Sequence, residues 1–224
     1  MLVASVVGLD TRATMDIDTT VRSLVLTRET AERIVREITA VDIPDGVIFT
    51  ITKISDIMGE HDYPRIRFML EARLEQLRQS IKIDISTGDV ITPDAVEYYY
   101  PLMFEDRSIR LWTYNLETLL AEKMETIMAR GPANTRMWDF YDIYVLSRKE
   151  SFDTAILKAA FLATSAKRNT LDQIPNLRQI LQTVASDGTM EQLWNNYRED
   201  SFFVGELSWD KVMQSVFELA ALVQ

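Results

Sequence analysis

The residues of this chain best suited to chemistry are two aspartates one residue apart. Asp16 and Asp18 lie in the segment TMDIDTTV over 14–21, whose alternation predicts a β-strand. Side chains two positions apart on a strand project from the same face, about 7 Å from each other. Such a pair suits Mg²⁺, which takes oxygen ligands and often binds substrate phosphates. The alternative is a pair of solvated acids on an exposed strand face.

A third carboxylate, Asp84, lies in the middle of the segment IKIDIS over 81–86. Here three isoleucines take one face of the predicted strand, while Lys82, Asp84 and Ser86 take the other. Three carboxylates from two strands are the arrangement used for two-metal phosphoryl or nucleotidyl transfer. The alternative is an amphipathic edge strand in which Asp84 pairs with Lys82.

A lysine interrupts the apolar stripe of the helix predicted over 115–130. Lys123 falls between leucines, methionine and isoleucine at helical spacing, and Arg130 lies beside the edge of this stripe. A lysine in such a position is costly unless it meets an anion. We expect either a fixed cation directed into the cleft of the carboxylates, or a stem that packs on the core while the ammonium reaches solvent.

Two acids stand in an otherwise apolar and aromatic segment, MWDFYDIYVL over 137–146. Asp139 and Asp142 are three positions apart, so a helix places them on one face. A helix this apolar is expected to be buried, and its acids then need partners, for which Lys123, Arg130 and Arg136 are candidates. The pattern fits a structural ion-pair network as well as a catalytic acid, and at least one of the two acids is expected to be structural.

The elements that must position these residues divide into a β-rich part and a helical part. About six strands are predicted between residues 14 and 112, in a sheet that is mixed or partly antiparallel, with one helix at about 27–40. From residue 116 onward the pattern is helical. We therefore predict an α+β fold with a β-rich domain over 1–114 and a helical domain over 115–224.

Composition narrows the classes of function. The chain has 224 residues and a formal net charge of −10, which argues against general polyanion binding but leaves room for a local basic groove. The absence of Cys excludes disulfides and thiolate metal sites, and the single His excludes histidine-cluster sites. No apolar run approaches the roughly 18 residues of a membrane-spanning helix. We expect a cytoplasmic protein that has no membrane as a partner.

Four segments together resemble a known family. DTRATMDIDTT, KIDIS, LETLLAEKMETIMAR and RMWDFYDIYVL resemble the AbiEii/AbiGii-type toxins of the nucleotidyltransferase superfamily, which has a polymerase-β-like core. The resemblance covers residues 1–148 well. It implies that Asp16 and Asp18 form the metal-binding D-x-D, that Lys123 is the motif lysine of the central helix, and that Asp142 or Asp139 is the later motif acid. Asp84 resembles the third strand carboxylate.

The resemblance also implies an activity. Members of the family are similar to enzymes that use Mg²⁺ to transfer a nucleotide from an NTP to an acceptor, in some cases the 3′ end of tRNA. Arg12, Arg130 and Asp139 are the further residues expected to contact the nucleotide, although Arg12 equally suits a cap on a preceding helix. A cognate antitoxin protein and a role in phage defence are implied as well.

One departure from the family pattern affects this expectation. The glycine motif that precedes the family's D-x-D would fall before Met1, so the chain is expected to be truncated at its N-terminus, with part of the nucleotide site missing. Two alternatives to a nucleotidyltransferase are therefore kept. One is an inert family member that acts by binding a partner protein. The other is a phosphotransferase that uses the same site to act on a small molecule.

Overall fold

The computed structural model describes residue 3 and residues 16–22, 24–57, 64–102 and 105–224. These residues form two compact units. The strand unit runs from Asp16 to Asp89, and the helical unit contains Val90–Gln224 together with Val3. Each unit has its own hydrophobic core.

The strand unit is a four-stranded mixed sheet with one helix. Its strands are in the order β1-β4-β3-β2, with β1 parallel to β4 and the other neighbours antiparallel. A two-residue turn at Glu75 and Gln76 joins β3 to β4, and Glu75 adopts a positive φ of 50° there. The elements are β1 (Asp16–Val21), α1 (Arg28–Thr39), β2 (Ile48–Asp56), β3 (Arg65–Leu74) and β4 (Leu77–Thr87).

Alternation along β3 builds the core of this unit. Ile66, Phe68 and Leu70 are at most 2% exposed, so one face of the sheet is buried and the opposite face is left to polar residues. Helix α1 contributes Ala31 and Val35 to that core. It begins after Thr27, whose side chain caps the helix by accepting a hydrogen bond from the Thr30 N–H.

The helical unit opens with a two-stranded antiparallel hairpin and continues as helices. Its elements are β5 (Val96–Pro101), β6 (Ser108–Thr113), α2 (Leu116–Arg130), α3 (Met137–Lys149), α4 (Thr154–Lys167), α5 (Leu177–Ser186), α6 (Gly188–Asp200) and α7 (Trp209–Val223). Three short 3₁₀ segments lie at Gly131–Ala133, Leu171–Asn176 and Phe202–Val204. No helix in these described ranges is both long and apolar enough to cross a membrane.

Packing of α2 against α3 and α4 forms the centre of the helical core. Both ends of α2 are set by its sequence. The Asn115 side chain accepts from the Thr118 N–H at its start, and Gly131 follows its last residue with a positive φ of 49°. The aromatic members of the core pack at centroid distances of 5.2–6.4 Å, and they are Phe140, Tyr141, Trp194, Tyr197, Phe203 and Trp209.

The predicted α+β class and the mixed sheet are confirmed. The change from strands to helices falls near residue 114, as predicted, but the compact units divide between Asp89 and Val90. Two hydrogen bonds of Thr92 anchor the segment before the hairpin to the start of α2. The Thr92 carbonyl accepts from Asn115 Nδ2 at 2.6 Å, and the Thr92 N–H donates to Thr118 Oγ1 at 3.0 Å. The division into a domain over 1–114 and a domain over 115–224 stays a prediction.

Candidate functional site

The predicted carboxylates of the strand unit lie on one face of the sheet. In the parallel pairing of β1 with β4, Asp16 is opposite Lys82 and Asp18 is opposite Asp84. Because β4 lies between β1 and β3, the alternative of an edge strand at 81–86 is wrong. The second alternative, a pair between Asp84 and Lys82, is also wrong, since Lys82 pairs with Asp16.

Asp84 is bound by an arginine from the neighbouring strand. Arg67 on β3 is opposite Asp84, and its Nε and Nη2 donate to the two carboxylate oxygens at 2.8 and 2.7 Å. The Asp84 side chain is only 12% exposed. The hydrogen bond from Arg67 to Asp84, with the nearby charges of Asp84, Asp16 and Asp18, raises the pKa of the guanidinium. This fork–fork geometry fixes both side chains on the polar face.

The two carboxylates of β1 are more accessible than Asp84. The Asp16 side chain is 42% exposed, and Asp18 is exposed. Their position on one face and their oxygen chemistry fit a Mg²⁺ ion. Asp84 accepts one hydrogen bond from Arg67 on each oxygen, so only its remaining lone pairs are left for a metal. Within the described ranges, no three Asp, Glu, His or Cys side chains are gathered closely enough to hold a metal.

A short polar network continues along the same face beyond the carboxylates. Asp89, just after β4, accepts hydrogen bonds from the hydroxyls of Ser86, at 2.6 Å, and of Thr20. Neither Asp89 nor Arg67 is among the site residues predicted from the sequence. The alternation of β3 did place Arg67 on its polar face, but only the order of the strands shows that it lies beside Asp84.

The helical unit contains the second predicted group of charged residues. Lys123 on α2 lies 3.0 Å from Asp139 Oδ1 and 2.7 Å from Asp142 Oδ2, both on α3. Arg136 Nε approaches Asp139 Oδ2 to 2.8 Å, without the alignment of a hydrogen bond. The predicted pairing of these acids with Lys123 and Arg136 is confirmed. We refer to Lys123, Arg136, Asp139 and Asp142 as the helical ion cluster.

The helical ion cluster is buried and balanced in charge. Asp139 and Asp142 are fully buried, and the Lys123 side chain is 10% exposed. Burial alone lowers the pKa of the Lys123 ammonium, but the charges and hydrogen bonds of Asp142 and Asp139 outweigh it and leave that pKa raised. Arg136, with a side chain that is 40% exposed, is the most accessible member of the cluster.

The remaining predicted residues are Arg130 and Arg12. Arg130 is the last residue of α2 and is half-buried. Arg12 lies outside the described residues. In the turn between α2 and α3, the buried Asn134 receives a hydrogen bond from the Arg136 N–H, while its Nδ2 has no hydrogen-bond partner among the described residues.

Comparison with known protein families shows which family the chain belongs to. A family model described as "Nucleotidyl transferase AbiEii toxin, Type IV TA system" matches residues 1–215. The chain belongs to this AbiEii family. The match includes both groups of charged residues described above. Family membership identifies a nucleotidyltransferase of a toxin–antitoxin system and implies an antitoxin as its counterpart.

Two solved structures are similar to the chain over most of its length. One is a candidate nucleotidyltransferase from H. pylori, 16% identical, with 100% of this chain and 83% of that chain covered and a TM-score of 0.47. The other is JHP933 from Helicobacter pylori, 17% identical, with 95% and 76% covered and a TM-score of 0.44. The comparison with curated proteins gave no match.

Proposed function

We propose that this AbiEii-family protein transfers a nucleotide from an NTP to an RNA acceptor, with tRNA as the first candidate, in a reaction that requires Mg²⁺. The observation that carries the proposal is the pair of same-face, accessible carboxylates on β1 of a chain in a nucleotidyltransferase family. Asp16 and Asp18 would hold the metal. Mg²⁺ supplies positive charge to the phosphates and lowers the pKa of the attacking hydroxyl.

The proposed reaction is an in-line displacement at the α-phosphate. The acceptor hydroxyl oxygen forms a bond to Pα, the bond from Pα to the pyrophosphate oxygen breaks, and the hydroxyl proton passes to a base. Asp84 as third ligand or as base stays a prediction, and in either role it would use the lone pairs that the two hydrogen bonds from Arg67 leave free. Asp84 also holds the Arg67 guanidinium near Asp18.

The helical ion cluster is balanced in charge, and Arg136 is its most accessible cation. That Lys123 neutralises charge developing on the phosphates stays a prediction, and fixed cations of this kind stabilise such transition states. Its ammonium is shared by two buried carboxylates, so the accessible charge of the cluster is on Arg136. We therefore assign phosphate binding to Arg136. Asp139 holds the Arg136 side chain, and Lys123 holds Asp139.

The biological setting is part of the same proposal. Modification of an RNA acceptor would stop translation, which makes the protein a toxin that its antitoxin must oppose. A role in phage defence and a location in the cytoplasm fit that activity. These statements rest on the family resemblance rather than on the geometry.

Transfer of label tests the proposal directly. The full native protein would be incubated with total bacterial RNA, Mg²⁺ and each of the four NTPs, labelled at the α-phosphate in one series and at the γ-phosphate in another. We expect α-label on one class of RNA. The variants Asp16→Ala and Asp18→Ala should reduce transfer at least about 100-fold, while Asp56→Ala, which removes an exposed acid at the end of β2, serves as the matched control.

Each other outcome has a definite meaning. γ-Label on a small molecule would replace the proposal with a phosphotransferase. Absence of any transfer, together with absence of nucleotide binding, would favour the inert protein-binding partner. Transfer that persists in Asp16→Ala and Asp18→Ala would refute the assigned metal site while leaving the family activity in place.

A further inference from the structure

An exposed tryptophan lies next to the helical ion cluster. Trp138 is the second residue of α3 and is 40% exposed, although its neighbours Met137 and Asp139 are buried. The guanidinium of Arg136 lies over its ring, 5.5 Å from the centroid. A large aromatic surface is therefore presented to solvent together with a cation.

This pair is held in position by buried groups. Arg136 is fixed through Asp139, which is fully buried and in turn bound by Lys123 at 3.0 Å. Trp138 is placed by the first turn of α3, whose other face is packed in the core. A cation and an aromatic ring arranged before a ligand arrives lose little conformational freedom on binding.

The distribution of charge favours an anionic ligand here. The two acids of the cluster are fully buried, whereas Arg136 reaches the surface. The accessible charge next to Trp138 is therefore positive, in a chain with a formal net charge of −10. Aromatic rings and guanidinium planes are the groups on which nucleobases stack, and the arginine also attracts phosphate.

We propose that Arg136 and Trp138 form a stacking site for the base of a nucleotide, with the base on the indole and the phosphate near the guanidinium. This inference rests on the proposed function and deepens it, because it assigns base recognition to the first turn of α3. The base belongs either to the NTP or to the end of the RNA acceptor.

Binding measurements on tryptophan variants test the site. Isothermal titration would give the affinity of the full native protein for each NTP and for a 12-nucleotide single-stranded RNA. Removal of one stacking ring should weaken binding about 5- to 150-fold in Trp138→Ala, and Trp138→Phe should retain most of the affinity. Trp112→Ala removes a tryptophan on β6 that is 71% exposed, lies opposite Glu97 and serves as the matched control.

The two sources of the base are distinguished by the ligand affected. Loss of NTP affinity alone assigns the site to the incoming nucleotide, and loss of RNA affinity alone assigns it to the acceptor. Unchanged affinity for both in a folded Trp138→Ala, with wild-type transfer intact, overturns the stacking site and leaves the proposed function standing. Failure of the wild type both to bind and to transfer overturns the proposed function and this inference together.

Discussion

The two units both pair carboxylates with cations, but they do so in opposite environments. On the sheet, Asp16, Asp18 and Asp84 meet Lys82 and Arg67 at a polar face that solvent reaches. In the helical ion cluster, two acids are fully buried and share one lysine. Ligands have access to the first group, whereas the second is closed apart from Arg136.

Burial determines what each group contributes to the protein. Exposed ion pairs add little to stability, because water screens them and their side chains lose freedom when they pair. Buried pairs are costly to break, because removal of one partner leaves the other uncompensated in the interior. In the proposed function the sheet charges bind the ligand, whereas the helical ion cluster joins α2 to α3 and holds Arg136.

The largest expected effect is on stability, from the loss of the buried lysine. Lys123→Met should lower the free energy of unfolding by about 3–5 kcal/mol, because two buried carboxylates lose their common partner. Urea denaturation followed by circular dichroism measures this change. Lys158→Met, at an exposed position on α4, is the control and should change stability by less than about 1 kcal/mol. Equal losses of stability in Lys123→Met and Lys158→Met would contradict the proposed difference between buried and exposed cations.

A smaller loss is expected when the partner of Asp84 is removed. Arg67→Gln leaves a carboxylate that is 12% exposed without its fork, which should cost about 1–3 kcal/mol. The control is Arg78→Gln, since Arg78 pairs with Glu71 at 3.4 Å in an exposed position and should contribute within about 0.5 kcal/mol. If the two variants unfold at the same urea concentration, Asp84 is better solvated than its exposure indicates.

The positions of the strand carboxylates and of the helical acids were predicted from different features of the sequence. Alternation over 14–21 and 81–86 was enough to put three acids on polar faces, and the apolar character of α3 was enough to require partners for Asp139 and Asp142. Both inferences depend on local periodicity, which the backbone preserves. The α+β class followed from the same patterns.

The order of the strands was beyond the sequence pattern. Periodicity shows which face of a strand a residue is on, but not which strand lies beside it. The pairing of Arg67 with Asp84 therefore could not be predicted, and an edge position for β4 could not be excluded. The position of the β5–β6 hairpin in the helical unit depends on hydrogen bonds of Asn115 and Thr118 to Thr92, which no local pattern contains. Arg12 lies outside the described residues, so its role stays a prediction.

Only a small change in stability is expected from one candidate metal ligand. Asp18 is opposite Asp84 on the neighbouring strand, but Arg67 binds Asp84 and also attracts the charge of Asp18. Asp18→Asn should therefore change the free energy of unfolding by less than about 1 kcal/mol, while it reduces nucleotide transfer. Thermal and urea unfolding measure this change. A larger loss of stability would show that Asp18 has a structural role and would weaken the contrast between the two groups.

The smallest effect at neutral pH is expected from titration of Lys123. Its pKa is raised in the folded state, so its stabilisation is complete below the unfolded value of about 10.4 and is lost as the pH rises through the folded value. At alkaline pH, where Asp139 and Asp142 stay ionised, the difference in stability between the wild type and Lys123→Met should shrink as the pH rises above about 10.4. A difference that grows as the pH approaches about 10.4 would contradict the raised pKa of Lys123.

The pairing of β1 with β4 also bears on when the carboxylate face forms during synthesis. Thr20 and Ser86, which are hydrogen-bonded across these strands, are 66 positions apart in the chain. At a synthesis rate of about 5–20 residues per second, β4 follows β1 from the ribosome by roughly 3–13 seconds. Asp16 and Asp18 thus have no partner strand while α1, β2 and β3 are being made. Because β4 ends at Thr87 of 224 residues, the strand unit can complete its carboxylate face while the ribosome is still making the helical unit.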